Sequence, residues 1–265
     1  MSLRRSRGWW QALVVAVSNP FEADAARRYH LGRPRHHERS LRRVVRDRSM
    51  KGRGLDVAAG TGLSTIALQN LGLVAVGVDS SMPMLGVAAE ESGPFIAAAA
   101  ERLPFVDAAF DVLTVSSGLH WFDRPAFLVE ARRVLVSDGV MILYDHGFLG
   151  QMQSNPGFAT WGADTYLLKF PSPPRNAMVG GSDDYEGFEL LSEEAFTEEV
   201  PLTREQLTDY LLTQSNTIAA VEEGRATAEE IRTWLLAELD PFYEDPAMPA
   251  GCMFWGRYEE LAPGR

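Results

Sequence analysis

The chain has one cysteine in 265 residues, no apolar run long enough to cross a bilayer, and no internal repeat. Cys252 alone cannot close an internal disulfide, so nothing implies an oxidising compartment. The apolar run from Trp9 to Val17 holds nine residues, where a span needs about 20. It follows Arg4, Arg5 and Arg7 and ends on the small residues Ala16 and Ser18, which outlines a secretory signal. Gln11 and the opening Trp9-Trp10 make it a poor export segment, so residues 1–18 are read as an N-terminal extension or short packing helix. The protein is expected to be soluble and cytoplasmic. Metal-ligand spacing is missing as well: His36 and His37 are adjacent, and no Cys/His pair stands at the separation a metal site uses. No metal is expected.

What is present is ordinary globular composition, 46% hydrophobic and 23% charged, which excludes a disordered or collagen-like chain. The net charge of −11 conceals a split. Residues 1–53 carry fourteen Lys/Arg against four Asp/Glu, and the remainder carries eleven against thirty-two. The body should repel polyanions, whereas the first fifth has the charge of a nucleic-acid-binding arm.

Asn19-Pro20 marks a helix start, with a helix over 22–31 that stops at Gly32-Arg33-Pro34. A basic helix from His36 to Arg48 shows Leu41, Val44 and Val45 on one face. Strands are then expected at 54–59, 73–78, 95–97, 110–116 and 140–144, with helices at 64–71, 83–91 and 127–136 between them. This alternation implies an α/β fold, a mostly parallel sheet with helices on both faces. Beyond residue 150 the rhythm is lost. Residues 170–181 read as a loop, helices follow Thr203 and Thr227 as caps, and Cys252 to Tyr258 forms a last strand. The acidic pairs Asp183-Asp184 and Glu193-Glu194 read as solvated surface.

The sharpest feature is the strand–loop–helix GLDVAAGTGLSTIAL followed by the strand LVAVGVDSS. A glycine loop lets backbone approach a ligand, and the helix behind it presents unpaired N–H groups. Asp79, seventeen residues after Gly62, ends the second strand, where a carboxylate accepts from both hydroxyls of an adenosine ribose. Thr65 stands where the dinucleotide fingerprint needs its third glycine. Asp56, four residues before the loop, would repel a pyrophosphate and attract the ammonium of a methionine moiety. Loop and acids together favour a sulfonium nucleoside over a dinucleotide.

These segments resemble class I S-adenosylmethionine-dependent methyltransferases, in the branch similar to trans-aconitate methyltransferase. GLDVAAGTG is similar to that family's LDVGCGTG, AAAERLPFVDAAFDVLTVSSGLHWF to GDAExLPFxDxSFDxVxxxxALHWF, and LVEARRVLVSDGVMILYD to the segment around RVLKPGG. FEADAARRYHLGRPRHH resembles the lid segment F-x-x-x-A-x-x-Y-x-x-x-RP-x-YP, and LTREQLTDYLLTQSN the acceptor-side helix. The resemblance implies a Rossmann-like, doubly wound seven-stranded sheet with a helical cap from the C-terminal half. It divides the chain into a lid over 19–53, a cofactor-binding core over 54–150, and an acceptor-side cap that completes the sheet over 151–265. It implies S-adenosylmethionine as cofactor. Gly60 and Gly62 would line its methionine portion, with Asp56 near the amino group and Ser117 beneath. Asp79 would hold the ribose, Ser80 would approach the adenine, and Ala100 and Glu101 would border the adenine pocket. Tyr29 and Arg33 would close a lid over the carboxylate. Four departures stand out: Ala58-Ala59 for Gly-Cys, Ala99 for the Asp that accepts from the adenine amino group, Ser137-Asp138 in the RVLKPGG turn, and His36-His37 for Tyr-Pro.

Methyl transfer is an in-line displacement, for which a protein aligns the partners, excludes water and sometimes takes a proton. His120, just past the fourth strand in GLHWF, is the expected base for a hydroxyl or amine, or the group that positions a carboxylate. Trp121, Tyr210 and Gln214 are the expected acceptor-side contacts. The expected activity is methyl transfer to a small organic acceptor, chiefly at oxygen. A nucleoside-binding regulator without catalysis, an RNA methyltransferase using the basic arm, and a nicotinamide dehydrogenase are the alternatives.

Overall fold

The structure, a computed structural model, describes residues 23–45, 50–91, 93–172 and 185–264. The N-terminal extension, the helix start at Asn19-Pro20, Arg46 and Arg48, Asp183-Asp184 and most of the expected 170–181 loop lie outside these residues.

Two helices, α1 (Ala23–Gly32) and α2 (His37–Val45), precede the sheet. Then β1 (Arg53–Val57), α3 (Leu63–Asn70), β2 (Val74–Asp79), α4 (Met82–Ala88), β3 (Phe95–Ala97), β4 (Phe110–Ser116), α5 (Arg124–Val134) and β5 (Leu135–Met152) follow in the expected alternation. The cap contributes α6 (Gly157–Trp161), a π-helical turn (Gly162–Tyr166), α7 (Leu167–Lys169), β6 (Phe188–Leu202), α8 (Arg204–Leu211), α9 (Ser215–Glu222), α10 (Ala228–Leu239) and β7 (Ala250–Pro263). The seven strands order as β3-β2-β1-β4-β5-β7-β6. β1 to β5 pair in parallel, while β7 runs antiparallel to both β5 and β6. Strand order reverses between β1 and β4, and in doubly wound sheets ligands bind outside the carboxyl ends at that point.

Alternation along the strands sends side chains to two cores. Leu55, Val57, Leu113, Val115, Met141 and Leu143 meet Phe127, Leu128, Ala131 and Val134 of α5 on one face. Ala75, Val112, Ile142 and Tyr144 meet Leu41 and Val44 of α2 and Ala67 and Leu68 of α3 on the other. A third core, rich in aromatic residues, joins the cap helices to the far ends of β5 and β7 and includes Phe158, Trp161, Tyr166, Phe170, Tyr210 and Phe254. Cys252 is fully buried there, and burial pushes its thiol up to about 12.

Two differences from the sequence reading concern strands. β5 does not stop at Tyr144 but continues to Met152, because β7 pairs along it from Met141↔Leu261 to Met152↔Cys252. β6 was not expected at all. Its acidic sequence FELLSEEAFTEEVPL is poor in strand formers, yet exposure alternates along it and it pairs with β7 over its whole length. Of the acidic pair read as solvated, Glu193 is exposed, but Glu194 is half-buried between Arg43 and the Tyr258 hydroxyl.

The basic helices lie against this acidic body. Arg27 pairs with Glu90 at 2.5 Å, Arg39 with Glu198 at 3.2 Å and Arg43 with Glu194 at 3.5 Å.

Candidate functional site

The site grows from the turn that follows β1. Ala58 (φ 59°), Gly60 (φ 56°) and Gly62 (φ 86°) all take left-handed backbone there. Gly62 begins α3, and a Cβ on it would come within 2.7 Å of the Phe95 ring, so only glycine fits. A Cβ on Gly60 would meet only the Met84 methyl at 3.9 Å, so its backbone borders open space. Asp79, at the tip of β2, fixes the loop from the side. Its Oδ2 accepts from the Gly60 amide at 2.8 Å and its Oδ1 from the Ser81 amide at 2.7 Å. Burial raises its pKa, against the Ser81, Gly60 and Ser80 amides, which favour its ionised form. The carboxylate keeps lone-pair capacity for a further donor. Ser80 is exposed beside it.

Asp56 holds the loop from beneath. It is fully buried and accepts from the hydroxyls of Ser64 (2.5 Å), Thr65 (2.7 Å) and Thr114 (2.9 Å). Burial pushes its carboxyl up to about 6, against those three hydroxyls, which favour the charged form. The geometry therefore gives Asp56 a bracing position, with both oxygens engaged by hydroxyls. Thr65, which displaces a glycine, earns its place by this bond, and Gly77 clears room for it: a Cβ on Gly77 would lie 2.6 Å from Thr65 Oγ1.

Across from the loop, the tip of β4 carries Ser117 in left-handed backbone (φ 51°), its amide donating to the Tyr144 carbonyl at 2.9 Å. Gly118 packs so tightly that a Cβ there would lie 2.6 Å from Ala58 Cβ. His120 sits on the next turn, Leu119–Trp121, exposed at the rim with its ring 4.8 Å from that of Trp121, which is 69% exposed. Ala100 is buried in the core beneath α5. Glu101 is turned to the protein itself, accepting from the Asp123 amide at 2.8 Å where Asp123 caps α5.

Tyr29 and Arg33 come together at the end of α1. The Arg33 guanidinium lies over the rings of Tyr29 (4.5 Å) and Tyr210 (5.4 Å) and donates to the Thr213 carbonyl at 3.1 Å. Its Nε is buried without a partner, as is Nε2 of the half-buried Gln214. Among the described residues Arg33 has no ion pair, and a half-buried cation in that position has donors left for an acceptor.

Sequence reasoning missed Thr61, whose Oγ1 is buried in the loop without a partner, and Thr114, whose hydroxyl meets Asp56 across two strands. It also missed the polar contacts of His37, whose Nδ1 lies 3.1 Å from Tyr144 Oη and 3.3 Å from Ser116 Oγ. Among the described residues, no group of three or more His, Cys, Asp or Glu is arranged to hold a metal ion, and no helix is long and apolar enough to cross a membrane.

Comparison with known proteins identifies the family. Residues 55–143 match the family described as a methyltransferase domain. The demethylmenaquinone methyltransferase of Mycolicibacterium vanbaalenii is 33% identical over 177 residues, 64% of this chain and 75% of that relative. The protein of the same name from Mycobacterium sp. (strain KMS) is 35% identical over 134 residues, 50% of this chain, and the chain spans only 56% of that relative's length. A provisionally assigned type II methyltransferase from Anaeromyxobacter dehalogenans superposes with a TM-score of 0.66 at 22% identity, over 88% of this chain and 96% of that one. At that identity the likeness is one of fold.

Proposed function

Because the chain belongs to the class I S-adenosylmethionine-dependent methyltransferases, we propose that it transfers the methyl group of S-adenosylmethionine to a small organic acceptor, with a hydroxyl oxygen as the receiving atom. The observation that carries this reading is the tie between Asp79 and the open Gly60 backbone at the carboxyl ends of β1 and β2. The residues fit the cofactor: Gly60 leaves room, Thr61 has an unmet hydroxyl, and Asp79 has lone pairs to spare. When bound, the cofactor supplies an activated methyl group. The chain's own residues bind, orient and desolvate.

In this reading Asp79 holds the ribose hydroxyls, Ser80 and Ala100 border the adenine side, and Gly60, Gly62 and Ser117 line the methionine portion. Tyr29 and Arg33 close over its carboxylate. Asp56 acts through the loop it braces, and Glu101 through the turn it clips to α5. His120 orients the acceptor at the rim. The relatives' name, demethylmenaquinone methyltransferase, supports a small aromatic acceptor. A cytoplasmic setting suits the single buried thiol.

Calorimetry with S-adenosylhomocysteine tests the reading. Micromolar binding is expected, weakened at least about tenfold by Asp79→Ala, a loss of about 1.4 kcal/mol or more. Absence of binding at millimolar ligand sinks it. Binding without methyl transfer to any hydroxyl, amine or thiol acceptor would leave a nucleoside-binding role instead.

A further inference from the structure

The junction between α1 and α2 holds a stack of buried imidazoles that the roles above do not use. His36 lies between His37, ring centroids 4.3 Å apart, and His146 at 3.8 Å, and His146 stacks in turn on Phe254 at 4.9 Å. Nδ1 of His36 stands 3.0 Å from the Pro34 carbonyl oxygen. A carbonyl only accepts, so Nδ1 carries the hydrogen and Nε2 is left with a bare lone pair. That Nε2 is buried and meets no donor, in a residue only 8% exposed. A buried acceptor left unmet costs free energy, so its persistence calls for an explanation.

The surroundings are those of a reaction site. His37 ties the stack to the tips of β4 and β5 through Ser116 and Tyr144. It also lines a recess with Leu63 and Ile66 of α3, the helix that the glycine loop begins. Arg33, whose Nε is unmet, lies three residues before His36, and a path of contacts runs Arg33–Tyr210–Phe254–His146–His36. The charged and titratable groups acting on His36 are Arg33 from the turn after α1, His37 from α2 and His146 from β5; behind His146 stand Arg39 of α2 and Glu198 of β6, whose Oε1 lies 2.9 Å from His146 Nε2. Burial and the neighbouring His37, His146 and Arg33 charges hold His36 well below the usual histidine range, so it is neutral at pH 7.

Resting on the methyl-transfer reading, we propose that His36 Nε2 takes the proton of the acceptor hydroxyl, and that Arg33, His36 and His146 form the subsite for an acceptor whose hydroxyl stands beside a carbonyl or carboxylate. The hydroxyl donates to His36 Nε2 while the neighbouring oxygen accepts from the unmet Nε of Arg33, which leaves Nη1 for the cofactor carboxylate. As the acceptor oxygen bonds to the methyl carbon, the carbon–sulfur bond breaks and its electron pair stays on sulfur. The hydroxyl proton passes to Nε2 and gives an imidazolium stacked on the Glu198-bound His146. A weak base is enough, because an oxygen that acquires a third bond becomes a strong acid. The exposed His120 is then a contact at the rim.

Histidine 15N spectra of the full chain loaded with S-adenosylhomocysteine test the assignment, with His36 identified by the signal lost in His36→Asn. A protonated Nδ1 and bare Nε2 at pH 7.5 are expected; a protonated Nε2 overturns the proposal. Methyl-labelled S-adenosylmethionine with a panel of phenols, salicylates and 2-hydroxy acids gives the second readout. His36→Asn should lower kcat by about 100-fold with the cofactor KM within about threefold, and the acid limb of the kcat–pH profile should vanish. A kcat within threefold of the parent, or methylation confined to amines and thiols, overturns it. Failure of S-adenosylhomocysteine to bind at all defeats the methyl-transfer reading itself. Normal binding with the wrong tautomer defeats only the role of His36.

Discussion

At the scale of single residues, Ala58 and Gly118 form a matched pair. Left-handed backbone costs an L-residue about 1–2 kcal/mol, and Ala58 bears that cost where similar loops carry glycine. Its methyl then occupies the space that a side chain at Gly118 would need. Ala58→Gly should be stabilising by about 0.5–1 kcal/mol once the entropy of glycine is counted, Gly118→Ala destabilising by about 1–3 kcal/mol, and the double substitution much less so than Gly118→Ala alone. Urea denaturation of the four proteins measures the coupling; additive effects would show that the two positions do not share space. Gly60, Gly62 and Asp79 were legible in the sequence because a loop motif is local. The His36–His146 stack was not, because its members lie 110 residues apart and meet only through the path of β5. The bond from Thr114 to Asp56 was hidden for the same reason.

At the scale of elements, legibility followed the agreement between pattern and propensity. β1 to β4 are short apolar runs between turns, and α8 and α10 announce themselves by caps. Thr203 and Gln206 form a reciprocal capping box, as do Thr227 and Glu230. Thr203→Ala should cost about 1 kcal/mol and Thr227→Ala a similar amount, read as shifts in the denaturant midpoint. β6 was illegible because its glutamates argue against a strand while only the period of two argues for one. Pairing with β7 and the ion pairs from α2 overrode that weak local preference. α9 also went unseen, being short and without a side-chain cap.

At the scale of the molecule, the charge split is largely internal: α1 and α2 bring cations to Glu90, just past α4, and to the carboxylates of β6. Any polyanion-binding arm would rest on Arg4, Arg5 and Arg7, beyond the described residues. The same junction sets the response to acid. His36, His37 and His146 all have lowered pKa values, His37 from 6.5 to about 3, chiefly through burial. Between these pH values the unfolded chain binds protons that the folded chain refuses, so stability falls as pH drops below about 6.5, by up to about 1.4 kcal/mol per pH unit for each histidine. Asp56 acts oppositely: raised from 3.8 to about 6, it binds its proton sooner when folded, and acid relieves its burial. Asp79, also raised by burial, acts in the same direction as Asp56; three histidines against these two carboxyls predict a melting temperature that declines from pH 7 to pH 5, with a shallower decline in His36→Phe. A melting temperature that rises over that interval would contradict this balance.

The sheet order has a further consequence for the chain during its synthesis. β6 pairs only with β7, which lies later in the sequence and separates it from β5. At about 5–20 residues per second, β6 spends seconds outside the ribosome before its partner is made, as an unpaired strand with both edges open. Such strands recruit one another into aggregates. The glutamates at 189, 193, 194, 198 and 199, which conceal the strand from a reader of the sequence, set like charges along it that oppose such pairing between copies.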